Sequence, residues 1–198
     1  MQVNEPVTEF WFKEKKYLSV KELVPNYVSQ IFEKKYLEKA RNNEGTKDPQ
    51  CPLSNAWYSQ PDFEALMVQC QPAIEHFTGL KLFPTYTYAR VYNSGEILEK
   101  HRDRPSCEIS VTLNLGQSSK NIWPIWIEGK EGPIEIPLSV GDAMIYRGGE
   151  VLHWREKFKP EKEDDYQVQV FMHYVDQNGS FSSYKFDGRP HLVCEKYL

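Results

Sequence analysis

The segment LEKHRDRP (98–105) sets His101 and Asp103 two residues apart. On a strand, side chains at i and i+2 share one face, so both can reach a single metal ion. Two imidazoles and one carboxylate on one face of an octahedron suit Fe(II) and leave three adjacent positions open. The second imidazole has to come from elsewhere. His153, in SVGDAMIYRGGEVLHWRE, is the candidate, because it follows a strand, a Gly-Gly turn and a returning strand. The HxD pair alone is a weak sign. Five histidines and eight aspartates in 198 residues produce one by chance in about one such chain in five. Its setting adds weight: the pair closes one strand, a β-rich stretch follows, and His153 arrives 50 residues after Asp103. The competing reading is a surface His and Asp near a strand end, with an unrelated buried His153.

Other chemistry-bearing residues carry two readings each. Lys100, Arg102 and Arg104 beside the pair could receive an anionic substrate or form a solvated strand edge. His173 shares a face with Gln167, Gln169 and Phe171 and reads as a packed or supporting histidine rather than a ligand. Trp123 and Trp126 in NIWPIWIE suit a core strand or a substrate mouth. Cys70 and Cys107 read as structural.

The elements that must position these residues divide the chain. From about Leu23 to Arg41, Tyr27, Ile31, Phe32, the Lys35 stem and Tyr36 recur at helical spacing, with Lys and Glu on the other face. Residues 42–58 read as a loop rich in Asn, Gly, Asp and Pro. A second helix is expected from Ser59, which could cap it, with Phe63, Leu66, Met67, Cys70, Ile74 and Phe77 on its apolar face and Thr78-Gly79 at its end. After Pro84 the period changes to two. TYTYARVYN places Tyr88, Arg90 and Tyr92 on one face and Ala89 and Val91 on the other. Further strands are expected at 98–103, 107–115, 121–128, 133–137, 143–146, 150–156 and 166–175, with KFKPEKEDD (157–165) a solvated loop. The expectation is one α+β, mainly β domain over 1–198: helical support over about 1–80, then a double sheet or barrel over about 84–188.

Composition narrows the class. The net charge of -4 argues against a nucleic-acid or membrane-surface partner, since either wants a basic face. The four cysteines form no CxxC pair, which argues against a zinc ribbon or thioredoxin-like site. The first residues, MQVNEPVTEFWFKEKK, lack an apolar signal core, and no apolar run approaches the length of a membrane span. A cytoplasmic protein with free thiols is the expectation.

Four motifs in order, YARVYNSGEILEKHRD, CEISVTLNLG, GDAMIYRGGEVLHWRE and YQVQVFMHYV, resemble the core of the 2-oxoglutarate and Fe(II)-dependent dioxygenases. The resemblance is nearest to the prolyl-4-hydroxylase-like subgroup and covers about residues 60–188. It implies a double-stranded β-helix (jelly roll, cupin-like) with N-terminal supporting helices, and iron on His101, Asp103 and His153. It further implies 2-oxoglutarate and O2 as co-substrates and hydroxylation of a C–H bond, with release of succinate and CO2. The substrate would be a prolyl residue in a peptide or a small amino-acid-like molecule. Two other readings stay open: a cupin-like metalloenzyme such as an isomerase that uses no 2-oxoglutarate, and a non-catalytic binding module.

The family's usual Arg or Lys for the 2-oxoglutarate C5 carboxylate sits about ten residues after the distal histidine. Here that slot falls on Asp165, and Lys162 lies in the charged loop. Arg155, two residues after His153 and on the same strand face, is the better candidate, because a guanidinium grips a carboxylate with two hydrogen bonds. Arg90 is the rival. Tyr92 and Thr112 match family pocket positions and could donate hydroxyl hydrogen bonds to the same carboxylate.

Overall fold

The computed structural model describes residues 5–159 and 161–197. The MQVN that begins the stretch read as lacking a signal core, and Pro160 in the charged loop, lie outside the described residues. The N-terminal part runs α1 (Glu5–Lys15), β1 (Tyr17–Val20), α2 (Asn26–Arg41), β2 (Thr46–Asp48), β3 (Cys51–Tyr58) and α3 (Pro61–Thr78). Strands β4 (Leu82–Asn93), β5 (Leu98–His101), β6 (Ile109–Gln117) and β7 (Ile125–Gly129) follow. Then come β8 (Gly132–Ile136), β9 (Ala143–Arg147), β10 (His153–Arg155) and β11 (Tyr166–Asp176). Among the described residues, no helix is long and apolar enough to cross a membrane.

The strands form a seven-stranded sheet, β1-β9-β6-β11-β4-β3-β2, and a four-stranded sheet, β5-β10-β7-β8. From β4 onward the chain passes back and forth between them. Strands β4, β6, β9 and β11 belong to the large sheet, and β5, β7, β8 and β10 to the small one. This is the double-stranded β-helix, mainly β with helices on one side.

Period-two patterning decides what each face meets. Ala89, Val91, Ile109, Val111, Leu113, Val168, Val170 and Met172 point out of the barrel and pack with Phe12, Tyr36, Phe63, Met67 and Ile74 of the helices. The alternate residues of the same strands point in. There Met144 and Tyr146 pack with Ile125 and Ile127, while Tyr92 and Phe171 pack with Leu98 and Trp123. Each large apolar side chain so buried contributes about 1.5–3 kcal/mol.

Several expectations change. Residues 42–58 are no loop: β2 and β3 form a hairpin that extends the large sheet through the pairing of β3 with β4. Asp48 ends β2, Pro49 falls in the turn and Pro52 lies within β3, so turn-type residues hid the pattern. Within the helical support expected over about 1–80, α1 and β1 are elements without a separate expectation. Ser59 does not cap α3. It has a positive φ of 46°, and Gln60 takes the cap position without a side-chain bond. Gly79 ends α3 as expected, in the left-handed region at φ 72°. Tyr27 and Ile31 of α2 face solvent, at 68% and 64% exposure, because the packed stripe runs through their neighbours Val28 and Phe32 and on to Tyr36. Finally, β5 stops at His101, so Asp103 lies two residues beyond the strand.

Candidate metal centre

Antiparallel pairing of β5 with β10 makes His101 and His153 direct cross-strand partners. Their rings lie 4.2 Å apart, centroid to centroid. Asp103 Oδ1 stands 3.6 Å from His101 Nε2 and 3.5 Å from His153 Nε2, so three ligand atoms converge on one point. Asp103 is placed there by its own N–H, which donates to Gly148 O at 2.9 Å. Gly148 must be glycine, since a Cβ there would collide with Asp103 Oδ2 and with Cys107 O.

Both histidines are set the same way. His101 Nδ1 lies 2.8 Å from Glu99 O and His153 Nδ1 lies 2.9 Å from Val151 O. A carbonyl only accepts, so each Nδ1 carries the proton and each Nε2 lone pair faces Asp103, the tautomer a metal requires. Ser110 Oγ lies 2.7 Å from Asp103 Oδ2 and donates to it, which leaves Oδ1 for the metal. Burial raises the Asp103 carboxyl, but the Ser110 hydroxyl and, with no metal bound, a proton carried by His153 hold it down at about 2. Burial and the neighbouring His153 lower His101. In the tautomer set by the two carbonyls, the site offers two imidazole nitrogens and a carboxylate oxygen, a donor set that fits Fe(II).

A second cluster, Asp103, Cys107 and His173, adjoins the first. It is a poor metal site. Burial pushes the Cys107 thiol up to about 12, and Tyr86 OH sits 3.0 Å from its sulfur, so no thiolate is offered. His173, which burial lowers to about 4, is neutral and lies 3.0 Å through Nδ1 from Ser110 Oγ. It supports the site through Ser110, as its strand face suggested.

A cavity of about 190 Å³ opens over the three ligands. Tyr86, Tyr88, Phe171 and His173 wall it, and the β2–β3 turn closes one side with Asp48 and Gln50. Arg90 reaches this cavity but is already engaged. Its Nη2 donates to Asp48 Oδ2 at 2.5 Å and to Gln50 Oε1 at 2.7 Å, and its Nη1 donates to Tyr92 OH at 3.3 Å.

Arg155, like Tyr92 and Thr112, lies behind the residues that line this cavity, but no carboxylate neutralises it. It lies on the inward face of β10 beside His153 with no solvent exposure. Its Nη1 donates to Trp123 O at 2.5 Å, and its guanidinium lies 4.8 Å over the Trp123 ring. Nε and Nη2 are buried without a partner. Burial lowers the group to about 10 although Tyr92 and Tyr146 act the other way. A buried cation with two unused N–H groups on one edge fits a carboxylate. Tyr92 is fully buried nearby, and Thr112 Oγ1, on the inward face of β6, accepts from Gln169 Nε2 at 2.6 Å. Asp165 is a turn residue that accepts from Ser118 Oγ and Lys162 N.

The basic cluster disperses. Lys100 lies over Trp154, Arg102 donates to Glu150 O, and Arg104 makes a two-pronged pair with Asp187 at 2.8 Å in each arm. Trp123 supports Arg155, whereas Trp126 stacks on Trp154 on the opposite face of the small sheet. Sequence reasoning missed Ser110, Tyr146 and the Asp48–Gln50 turn. Alternation through ISVTLNLG and AMIYR would have marked Ser110 and Tyr146 as inward; nothing local marked the turn.

No protein-family model matches the sequence, and no curated protein matches it. Solved structures do. A Pseudomonas putida prolyl-4-hydroxylase superposes with a TM-score of 0.67 at 13% identity, covering 86% of this chain and 98% of that one. HygX from Streptomyces hygroscopicus, with nickel and 2-oxoglutarate bound, gives 0.69 at 11% identity and covers 89% of each chain. The non-haem α-ketoglutarate-dependent epimerase SnoN from nogalamycin biosynthesis gives 0.70 at 9% identity, covering 86% of this chain and 82% of that one. At these identities the likeness is one of fold.

Proposed function

We propose that the protein is an Fe(II)- and 2-oxoglutarate-dependent oxygenase. The observation that carries this reading is a conjunction on one strand. His153 of the converging ligand trio and Arg155, with its unpaired buried guanidinium edge, share the inward face of β10. Residues i and i+2 on a strand stand about 6.6 Å apart, a span that suits a five-carbon dicarboxylate between a metal and a cation.

His101 Nε2, His153 Nε2 and Asp103 Oδ1 would hold the iron. Arg155 would grip the C5 carboxylate, with Tyr92 and Thr112 as hydroxyl donors beside it. Iron(II) and 2-oxoglutarate bound there supply the activation of O2, coupled to oxidative decarboxylation of 2-oxoglutarate to succinate and CO2. Ser110 keeps Asp103 on one oxygen, and the Nδ1 carbonyl bonds keep both imidazoles aimed. Leu98 and Phe171 give the cavity over the trio an apolar wall.

The likeness to a prolyl-4-hydroxylase supports C–H hydroxylation of a prolyl residue or of a small amino-acid-like molecule. The likeness to an epimerase supports the shared oxidation chemistry and leaves the outcome to the substrate's placement. The acidic balance weighs against a nucleic-acid substrate, and four buried free cysteines support a reducing, cytoplasmic setting.

The test is iron-dependent succinate release from 2-oxoglutarate. The wild type should release it, and Asp103→Ala should abolish it. Undiminished turnover in Asp103→Ala would overturn the ligand set. Iron binding with no succinate would make this a metal enzyme that does not use 2-oxoglutarate.

A further inference from the structure

Ser110 Oγ sits among three polar atoms: Asp103 Oδ2 at 2.7 Å, His173 Nδ1 at 3.0 Å and Cys107 O at 3.1 Å. A hydroxyl has one proton to give. Carboxylate and carbonyl oxygens can only accept, so the one proton is shared between them, mainly along the shorter, charge-assisted contact to Asp103. None is left for His173. Two lone pairs do not stay 3.0 Å apart in a buried site, so His173 Nδ1 must itself donate to Ser110. In a neutral imidazole that leaves the other nitrogen, Nε2, without a proton.

Among the described residues, that nitrogen makes no hydrogen bond, and His173 lines the cavity over the ligand trio. The ring is held in place. Tyr86 lies against it at 4.5 Å, and Arg104 in turn lies 4.6 Å over Tyr86. The Tyr86 hydroxyl is committed to Cys107 Sγ, and the Tyr88 hydroxyl donates to Asp48.

We propose that His173 Nε2 is a fixed hydrogen-bond acceptor for the substrate, so that the site takes a molecule with an O–H or N–H near the carbon presented to the iron. An alcohol, an amine or an amide has the required donor; a bare hydrocarbon does not. The word substrate rests on the oxygenase reading. The tautomer does not, because it follows from the Ser110 contacts of a buried, neutral imidazole.

Nitrogen-15 NMR of the full chain, histidine-labelled and loaded with Zn(II) as a diamagnetic stand-in, tests it. The His173 signals are assigned by their loss in His173→Gln or, should that chain not fold, by through-bond correlation to the His173 backbone. At pH 7 the expected result is Nε2 in the range of an unprotonated imidazole nitrogen and Nδ1 in the protonated range. In Ser110→Ala the two tautomers should mix. Addition of 1-propanol should move Nε2 toward the protonated range, and methoxyethane should not. A protonated Nε2, or an Nε2 bound to Zn(II), overturns the proposal. An equal response to the alcohol and the ether overturns its substrate half. Succinate release reports separately on the oxygenase reading.

Discussion

At the residue scale, Arg155 is the unusual group. Burying a cation beside unfilled N–H positions costs stability that a bound dicarboxylate would recover. Arg155→Met should therefore leave the ligand-free Tm unchanged or slightly raised. It should also weaken 2-oxoglutarate binding more than tenfold, since a close buried charge pair carries about 2–5 kcal/mol and each 1.4 kcal/mol is a factor of ten. Calorimetric titration of the metal-loaded protein with 2-oxoglutarate checks the second part, and thermal melts check the first. If Arg90→Met has the larger effect, the anchor is Arg90. The contrast between the two arginines was not legible in sequence. Both sit on inward strand faces. Only the β2–β3 hairpin, which brings Asp48 against Arg90, separates a neutralised guanidinium from a free one.

At the element scale, the metal centre depends on how β9 hands the chain to β10. The Gly-Gly turn was read as the tip of a returning pair, yet β9 and β10 lie in different sheets. The turn is a crossing between layers, and it runs so close to Asp103 that Gly148 has no room for a Cβ. Gly148→Ala should displace Asp103 and cost about 1–3 kcal/mol by overpacking. The expected result is a lower Tm together with weaker Co(II) binding, read from the visible spectrum of the titrated protein. A variant that melts early but binds Co(II) as the wild type does would show that the glycine serves only the turn. Helix α3 and the alternating strands were readable because their buried faces repeat at 3.6 or 2 residues. The hairpin over 46–58 was not, because its turn residues outweighed its short alternation.

At the scale of the whole molecule, the C-terminal segment is tied down by one buried carboxylate. Glu64, within α3 and fully buried, accepts from Arg189 Nη1 at 2.7 Å and from the N–H groups of Val193 and Cys194. Arg189 also donates to Thr85 O on β4, and Asp187 holds Arg104 next to Asp103 of the candidate metal centre. Glu64→Ala leaves Arg189 and two N–H groups uncompensated, a loss of about 3–5 kcal/mol. For a chain of this size that lowers Tm by roughly 10 °C. Differential scanning calorimetry would show it; a shift of under about 2 °C would mean the segment contributes little.

The sequence by itself singled out the candidate trio of His101, Asp103 and His153, marked the change from helical to strand period near Pro84 and, through its resemblance to a known family, pointed to the jelly-roll class. The first two are written in residue type and local spacing, which backbone geometry sets, and the third in the order of four motifs. Tertiary structure decided the rest. It made His101 and His153 cross-strand partners, left Arg155 unpaired while Asp48 neutralised Arg90, and set Ser110 between Asp103 and His173. Those relations join residues far apart in the chain. Their energies depend on burial and on which partners arrive, and neither is encoded in any single stretch of the sequence.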